Sequence, residues 1–247
     1  MIGCDCEVCA SVDPRDNRTR AAALVSWNGR NILIDTSTDL RQQLLANRIA
    51  QVDAILFTHT HADHIHGIDD VRIFSTRSGA ALPAYGDART CRFLRDTFRY
   101  IFSEEPETVN VPRIDLDPIE GPFDLFGKRI VPVPVEHGRQ TILGFRIDRL
   151  AYLPDCGGIP SDSRDLLKNL DVLVLDALRP KEHPTHFSLS EALEAIEQIM
   201  PRRAYLTGLC HHLGHHDTEQ GLPRNVRVAY DGLKLELPPA GTKNPTA

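Results

Sequence analysis

What this chain lacks narrows its class before any motif is read. No apolar run in its 247 residues approaches the length needed to span a bilayer. The opening MIGCDCEVCA has neither the basic flank nor the apolar stretch of a secretory signal, so the expected location is cytoplasmic and no membrane partner is expected. Positive charge is not in excess either. Lys and Arg number 28 against 34 Asp and Glu, and the formal net charge of −6 disfavours long nucleic acid as a ligand. The one basic stripe, Arg89, Arg92, Arg95 and Arg99, is spaced to share a helical face and reads as solvated surface. Internal repeats and a dividing linker are missing as well. With 41% hydrophobic and 25% charged residues, the composition fits a single domain, taken as residues 1–237, and a tail, 238–247, expected to be disordered. The sequence favours no assembly beyond a candidate homodimer.

What is present is an alternation of strand and helix signals. AAALVSW and RNILIDT flank Asn28-Gly29, a pair that tolerates the positive φ of a tight hairpin. STDLRQQLLANRI has helical periodicity, and Asp53–Thr58 (DAILFT) is a short continuous apolar run of the kind found in buried strands. A helical segment spans Asp87–Phe102, followed by an acidic, proline-bearing connection through Pro122. RIVPVPV, LGFRI, RLAYLP, DVLVLDAL, RRAYLT, NVRVAY and LKLEL read as strands. SLSEALEAIEQIM reads as a helix capped by Ser188 with Glu191 three residues on. This pattern predicts one α/β domain with helix-covered sheets.

Two constellations carry chemistry. HTHADHIHG follows DAILFT directly, so its residues are held at the base by a core strand and exposed at the tip. Alternation brings His59 and His61 to one side, and the following turn brings Asp63 and His64 round. Neutral imidazole with carboxylate suits zinc, manganese or iron(II). His66 has no spacing that demands a metal and reads as packing. In GCDCEVCA, Cys4, Cys6 and Cys9 have CxCxxC spacing. Where thiols stay reduced, this suggests zinc rather than disulfides and requires a fourth ligand from elsewhere.

HTHADH resembles the HxHxDH signature of the metallo-β-lactamase superfamily. That resemblance implies a four-layer αββα sandwich and a hydrolytic site for up to two ions, Zn2+ or Mn2+. It implies further ligands at His137, closing VPVPVEH, and at Asp155, after RLAYLP. GCDCEVC, NILIDTSTDLR, HTHADHIHGIDDVR, PTHFS and VAYDGL together resemble the superfamily's phosphodiesterase branch, which includes phosphoribosyl 1,2-cyclic phosphate phosphodiesterases. The likeness runs from Gly3 to about Leu235. It implies His211 as fourth ligand of a structural Zn2+ with Cys4, Cys6 and Cys9. His212, His215 and His216 are then expected at the surface or behind the ligands.

The same alignment shows two departures. Gly208 stands where the branch has its last active-site histidine, leaving Asp63, His64 and Asp155 for the second ion and tilting it towards manganese. A histidine restored at 208 is expected to raise occupancy of that second site. Only Met1-Ile2 stands before Gly3, where the branch has a first edge strand and a glycine-rich loop: either the start codon is misassigned or that strand and loop are missing. The reaction implied is hydrolysis of a small phosphodiester, a cyclic one included, by metal-activated water. Asp63 is expected to bind metal and orient the nucleophile. His186, in HPTHFS before a helix, is the candidate general acid, against a plainer reading in which it caps or packs under that helix. The alternatives are a weakly active or non-catalytic zinc-stabilised protein, on account of Gly208, and a tRNA-processing nuclease, which would need a protruding RNA-binding arm.

Overall fold

Asn28 and Gly29 take φ angles of 50° and 74°, the left-handed pair that a two-residue hairpin turn requires. They join β1 (Ala23–Trp27) to β2 (Arg30–Ile34), with Ala23 opposite Ile34 and Trp27 opposite Arg30. The structure, a computed structural model, describes residues 1–103 and 110–237. The expected tail, 238–247, lies outside the described residues, as does 104–109 within the acidic connection.

From the hairpin the first sheet grows in the order β1-β2-β3-β4-β5. It adds β3 (Ala54–Leu56), β4 (Leu82–Gly86) and β5 (Ile114–Pro118), each parallel to its neighbour. The second sheet comprises β6 (Phe123–Leu125), β7 (Lys128–His137), β8 (Gln140–Ile147), β9 (Leu150–Leu153), β10 (Val172–Asp176), β11 (Arg203–Thr207) and β12 (Val226–Val228). Its order is β12-β11-β10-β9-β8-β7-β6, antiparallel from β6 to β9 and parallel from β9 to β12.

Side-chain alternation on the strands decides the layering. On β2 and β3, Ile32, Ile34, Ala54 and Leu56 meet Ile130, Phe145, Ile147 and Tyr152 of the second sheet. The opposite faces, Leu33 and Ile55, meet helix residues including Leu40, Phe74, Cys91 and Leu94. Those belong to α1 (Leu40–Ala46), α3 (Arg72–Ser78) and α4 (Ala88–Thr97), while α2 (Ala62–Ile65) is the single turn carrying Asp63 and His64. The outer face of the second sheet packs on Leu166, Ala192 and Ile196, which lie on α6 (Ser161–Leu166) and α7 (Leu189–Ile199). Helix, sheet, sheet, helix is the resulting αββα order.

Local rules explain most boundaries. Ser188 Oγ accepts from Glu191 N while the Glu191 carboxylate accepts from Ser188 N, a closed capping box at α7. The predicted helix Asp87–Phe102 divides at Phe98, whose φ of −109° and ψ of 49° interrupt it before α5 (Arg99–Phe102). Arg89, Arg92, Arg95 and Arg99 are exposed along this segment. Strands β4, β5 and β6 and the short helices α3 and α6 went unread, and LKLEL forms no strand: Leu233–Leu237 lacks a partner ladder. Among the described residues no helix is long and apolar enough to cross a membrane.

Candidate metal centre

Five loops meet at the C-terminal ends of the strands where the two sheets adjoin. The first follows β3 and carries His59 and His61. A buried carboxylate that sequence reasoning missed, Asp35 at the end of β2, organises it. Asp35 is fully buried with φ of 65°. It accepts from Thr58 N at 2.8 Å and Thr58 Oγ1 at 2.7 Å, and lies 2.7 Å from His64 Nδ1.

These contacts fix two imidazoles. Because Thr58 spends its hydroxyl proton on Asp35, its oxygen at 2.9 Å from His59 Nδ1 must accept. His59 therefore carries its proton on Nδ1, and Nε2 keeps a lone pair. That Nε2 is buried with no hydrogen-bond partner, 3.6 Å from Asp155 Oδ2. Burial, aided by the neighbouring His64, pushes the ring down to about 2, so it stays neutral. His137, closing β7, repeats the device: its Nδ1 lies 2.7 Å from the Asp155 carbonyl, which can only accept. Its Nε2 is likewise left with a lone pair, and burial holds the ring below its ordinary value. His61 is exposed, with its ring centroid 4.7 Å from that of His59 and 4.9 Å from that of His137.

Asp155 follows β9 with φ of 51° and joins this group. His59, His61, His137 and Asp155 each offer a ligand atom within 4.8 Å of the others. A buried, orphaned lone pair among three imidazoles and a carboxylate is what a divalent ion of borderline softness fits. The donor set matches the implied cation.

The second ion's expected ligands meet less completely. His64 points Nε2 to within 3.3 Å of Asp155 Oδ2, the same oxygen His59 approaches. Burial alone would lower its pKa, but the Asp35 and Asp155 carboxylates outweigh that and hold it up to about 11. Asp63 is not drawn in. Its side chain is 39% exposed and lies 3.8 Å from Arg20 Nη1. Instead, Asp155, Asp176 and His186 form a further group with ligand atoms within 4.8 Å. Asp176, ending β10, is another buried carboxylate that sequence reasoning missed. The signal was legible in principle: NILID and VLVLD both close an apolar strand on an aspartate.

His186 rides a loop pinned by Phe187 N to Cys156 O at 2.7 Å and Leu178 N to Phe187 O at 2.9 Å. Its Nδ1 lies 2.9 Å from Asp176 Oδ2, and its ring meets His137 edge-on at 4.9 Å. Burial pushes Asp176 up to about 7; His186 is held above its ordinary value, because the Asp176 carboxylate outweighs its own burial. His183 lies beside it, hydrogen-bonded within its own loop to Thr185. His66 is exposed, with its ring edge-on to Phe98. A cleft of about 2240 Å³ opens over the centre and runs along the β1 edge to Leu233–Leu237.

The cysteine cluster forms at the molecule's other marked site. Cys4, Cys6, Cys9 and His211 offer ligand atoms within 4.8 Å, with His211 Nδ1 3.4 Å from both the Cys4 and Cys6 sulfurs. The Cys9 amide and His211 hold the Cys6 thiol down to about 6, so the set suits a soft-ligand cation such as zinc. Arg18 ties the same segments together, donating to the carbonyls of Leu209, Cys210 and Leu213 while pairing with Asp16. His212 is exposed, 3.6 Å from Cys210 Sγ, and joins neither active-site group. His216 is exposed, but His215, expected at the surface or behind the ligands, is buried against Tyr230.

Comparison with known proteins agrees with this architecture. The family described as "Beta-lactamase superfamily domain" matches residues 30–209. A crystal structure described as a new diphosphatase from the PhnP family superposes with a TM-score of 0.89 at 42% identity, covering 96% of this chain and 92% of that one. The chain belongs to the PhnP family of the metallo-β-lactamase superfamily. This PhnP-family chain is also 34% identical, over 98% of its length, to a protein named octanoyltransferase from Porphyromonas gingivalis, of which it spans only 50%. Zn2+-bound PqqB from Methylobacterium extorquens shares the fold, with a TM-score of 0.74 at 19% identity over 96% of this chain and 95% of that one.

Proposed function

We propose that this metallo-β-lactamase-fold hydrolase cleaves a small phosphodiester or diphosphate, a cyclic ester among the candidates. One observation carries the reading. His59 and His137 have both their Nδ1 protons engaged by the protein, so their free Nε2 lone pairs converge beside the Asp155 carboxylate. His59, His61, His137 and Asp155 would hold a Zn2+ or Mn2+ ion. The chemistry supplied when such an ion is bound is Lewis acidity, which polarises a phosphoryl group and acidifies water. The relative described as a diphosphatase supports phosphorus as the target.

The chain's own groups do the rest. Asp176 accepts from His186 Nδ1–H, turning the opposite ring nitrogen away from the carboxylate. Asp176 holds the His186 pKa above its ordinary value against the effect of burial, which favours the imidazolium that would give its proton to the leaving alkoxide. Asp35 and Thr58 hold the His59 and His64 rings so that no reorientation is needed when the ester arrives. Cys4, Cys6, Cys9 and His211 would hold a structural zinc away from the chemistry.

Turnover of bis(p-nitrophenyl) phosphate with added Mn2+ or Zn2+ tests the reading, with His59→Ala and Asp155→Ala as controls. Wild-type turnover no higher than theirs would favour the second reading, a lapsed enzyme, which Gly208 in place of the branch's histidine supports. His186→Ala should lower kcat by about 10²–10⁴ for an alkyl ester and far less for a p-nitrophenyl ester, whose leaving group needs no proton. Equal losses on both would remove His186 from the acid role.

A further inference from the structure

Gly208 follows β11 directly, and Thr207 is the register partner of Asp176 on β10. The two positions therefore stand side by side at the sheet's end. Gly208 has φ of 73°, and a Cβ built on it would lie 2.2 Å from Asp176 Oδ1. The carboxylate of 176 thus fills the space in which a side chain at 208 would begin. Glycine here is the condition for that placement. A histidine restored at 208 does not simply add a ligand, as the sequence suggested: it must displace Asp176 and adopt a left-handed backbone.

The two oxygens of Asp176 are not equivalent. Oδ2 is engaged by His186 Nδ1 at 2.9 Å. Oδ1 is buried with no hydrogen-bond partner, on a residue of 0% exposure. A buried carboxylate oxygen left without a donor costs about 1–3 kcal/mol or more, and native proteins rarely keep one without use. Asp176 also belongs, with Asp155 and His186, to the second group of convergent ligand atoms, and Asp155 is common to both groups.

We propose that Asp176 is a metal ligand, its Oδ1 completing a second cation position with the shared Asp155 in place of the side chain that Gly208 does not provide. This rests on the metallohydrolase reading of the first group. Asp176 then serves two partners, holding the His186 imidazole through Oδ2 and the second ion through Oδ1. Asp63, drawn towards Arg20, is not required. Carboxylate oxygens are hard donors, so the second position should prefer Mn2+ to Zn2+ more than the three-imidazole position does.

Mn2+ titration of the full chain, read by loss of the free-ion EPR signal, tests this without reference to turnover. Wild type should bind two Mn2+ beyond any zinc at the cysteine cluster. Asp176→Ala should retain the first and weaken the second by at least about tenfold, and Gly208→Ala, which leaves Asp176 present but displaces its carboxylate, should do the same. Thermal melts and cysteine-site zinc content identify a variant that has misfolded, and Asp176→Asn, similar in shape, serves if Ala does not fold. Two ions bound with wild-type affinity in folded Asp176 variants would overturn the proposal, as would a wild type that binds only one. A wild type that binds none would overturn the underlying metallohydrolase reading itself.

Discussion

The cysteine cluster and the histidine centre are both four-residue groups within 4.8 Å, yet they are built in opposite ways. Three ligands of the first lie within six residues of chain, half-exposed, and their contacts are largely to one another and to His211. The ligands of the second come from three separate loops, and buried partners hold them: Thr58 for His59, the Asp155 carbonyl for His137 and, next to them, Asp35 for His64. The protein's own hydrogen bonds prepare the histidine centre, whereas the three cysteines contact mainly one another and His211. Preorganisation is what catalysis needs, because rings already aimed lose no energy to reorientation.

Removing the preparation from the histidine centre should have the largest effect. Asp35→Ala strips a fully buried carboxylate from Thr58 and His64 and should cost about 3–5 kcal/mol of stability, measured by urea unfolding, together with loss of active-site metal. A cost below about 1 kcal/mol would mean that the centre is no more prebuilt than the cysteines. Next, Cys6→Ser should remove one zinc per chain by elemental analysis and lower the thermal midpoint by less than Asp35→Ala, while active-site Mn2+ binding is unchanged. Arg18, with its four partners, should keep the 209–213 loop docked. Coupled loss of both metals would erase the distinction between the sites.

The smallest effect calibrates the others. Asp53 ties β2 to the start of β3 through Asn31 N and Arg30, and belongs to neither candidate metal group. Its burial would raise its pKa, but those hydrogen bonds win and hold it below the ordinary carboxylate value. A carboxyl depressed on folding contributes stability that is complete above the unfolded value, near pH 4, and lost as pH falls through the folded one. Asp53→Asn should therefore flatten the acid limb below about pH 4 and cost about 0.5–1 kcal/mol at neutrality. An unchanged acid limb would show that the contacts of Asp53 contribute nothing.

The sequence revealed those parts whose physics is local. DAILFT was visible because a strand buried on both faces is apolar throughout, and Asn28-Gly29 because few other pairs take that turn. The capping box at Ser188 and Glu191 is a three-residue relation. β5 was hidden because an edge strand reading IDLDP buries only Leu116. LKLEL alternates like a strand, but alternation supplies no neighbour to pair with. Among candidate ligands, HTHADH and CxCxxC were legible as spacings, whereas His137, Asp155 and His211 needed a family resemblance. Asp35 and Asp176 were missed because a lone aspartate ending a strand looks like any turn residue until the fold buries it. Gly208 looked like a loss in sequence; in the structure it makes room for Asp176.

An anomalous difference map from crystals grown with Zn2+ tests the central claim most directly. A strong peak is expected about 2.0–2.1 Å from Nε2 of both His59 and His137, with their Nδ1 atoms still on Thr58 and the Asp155 carbonyl. A pocket without a peak, or rings turned so that Nδ1 faces its centre, would contradict it.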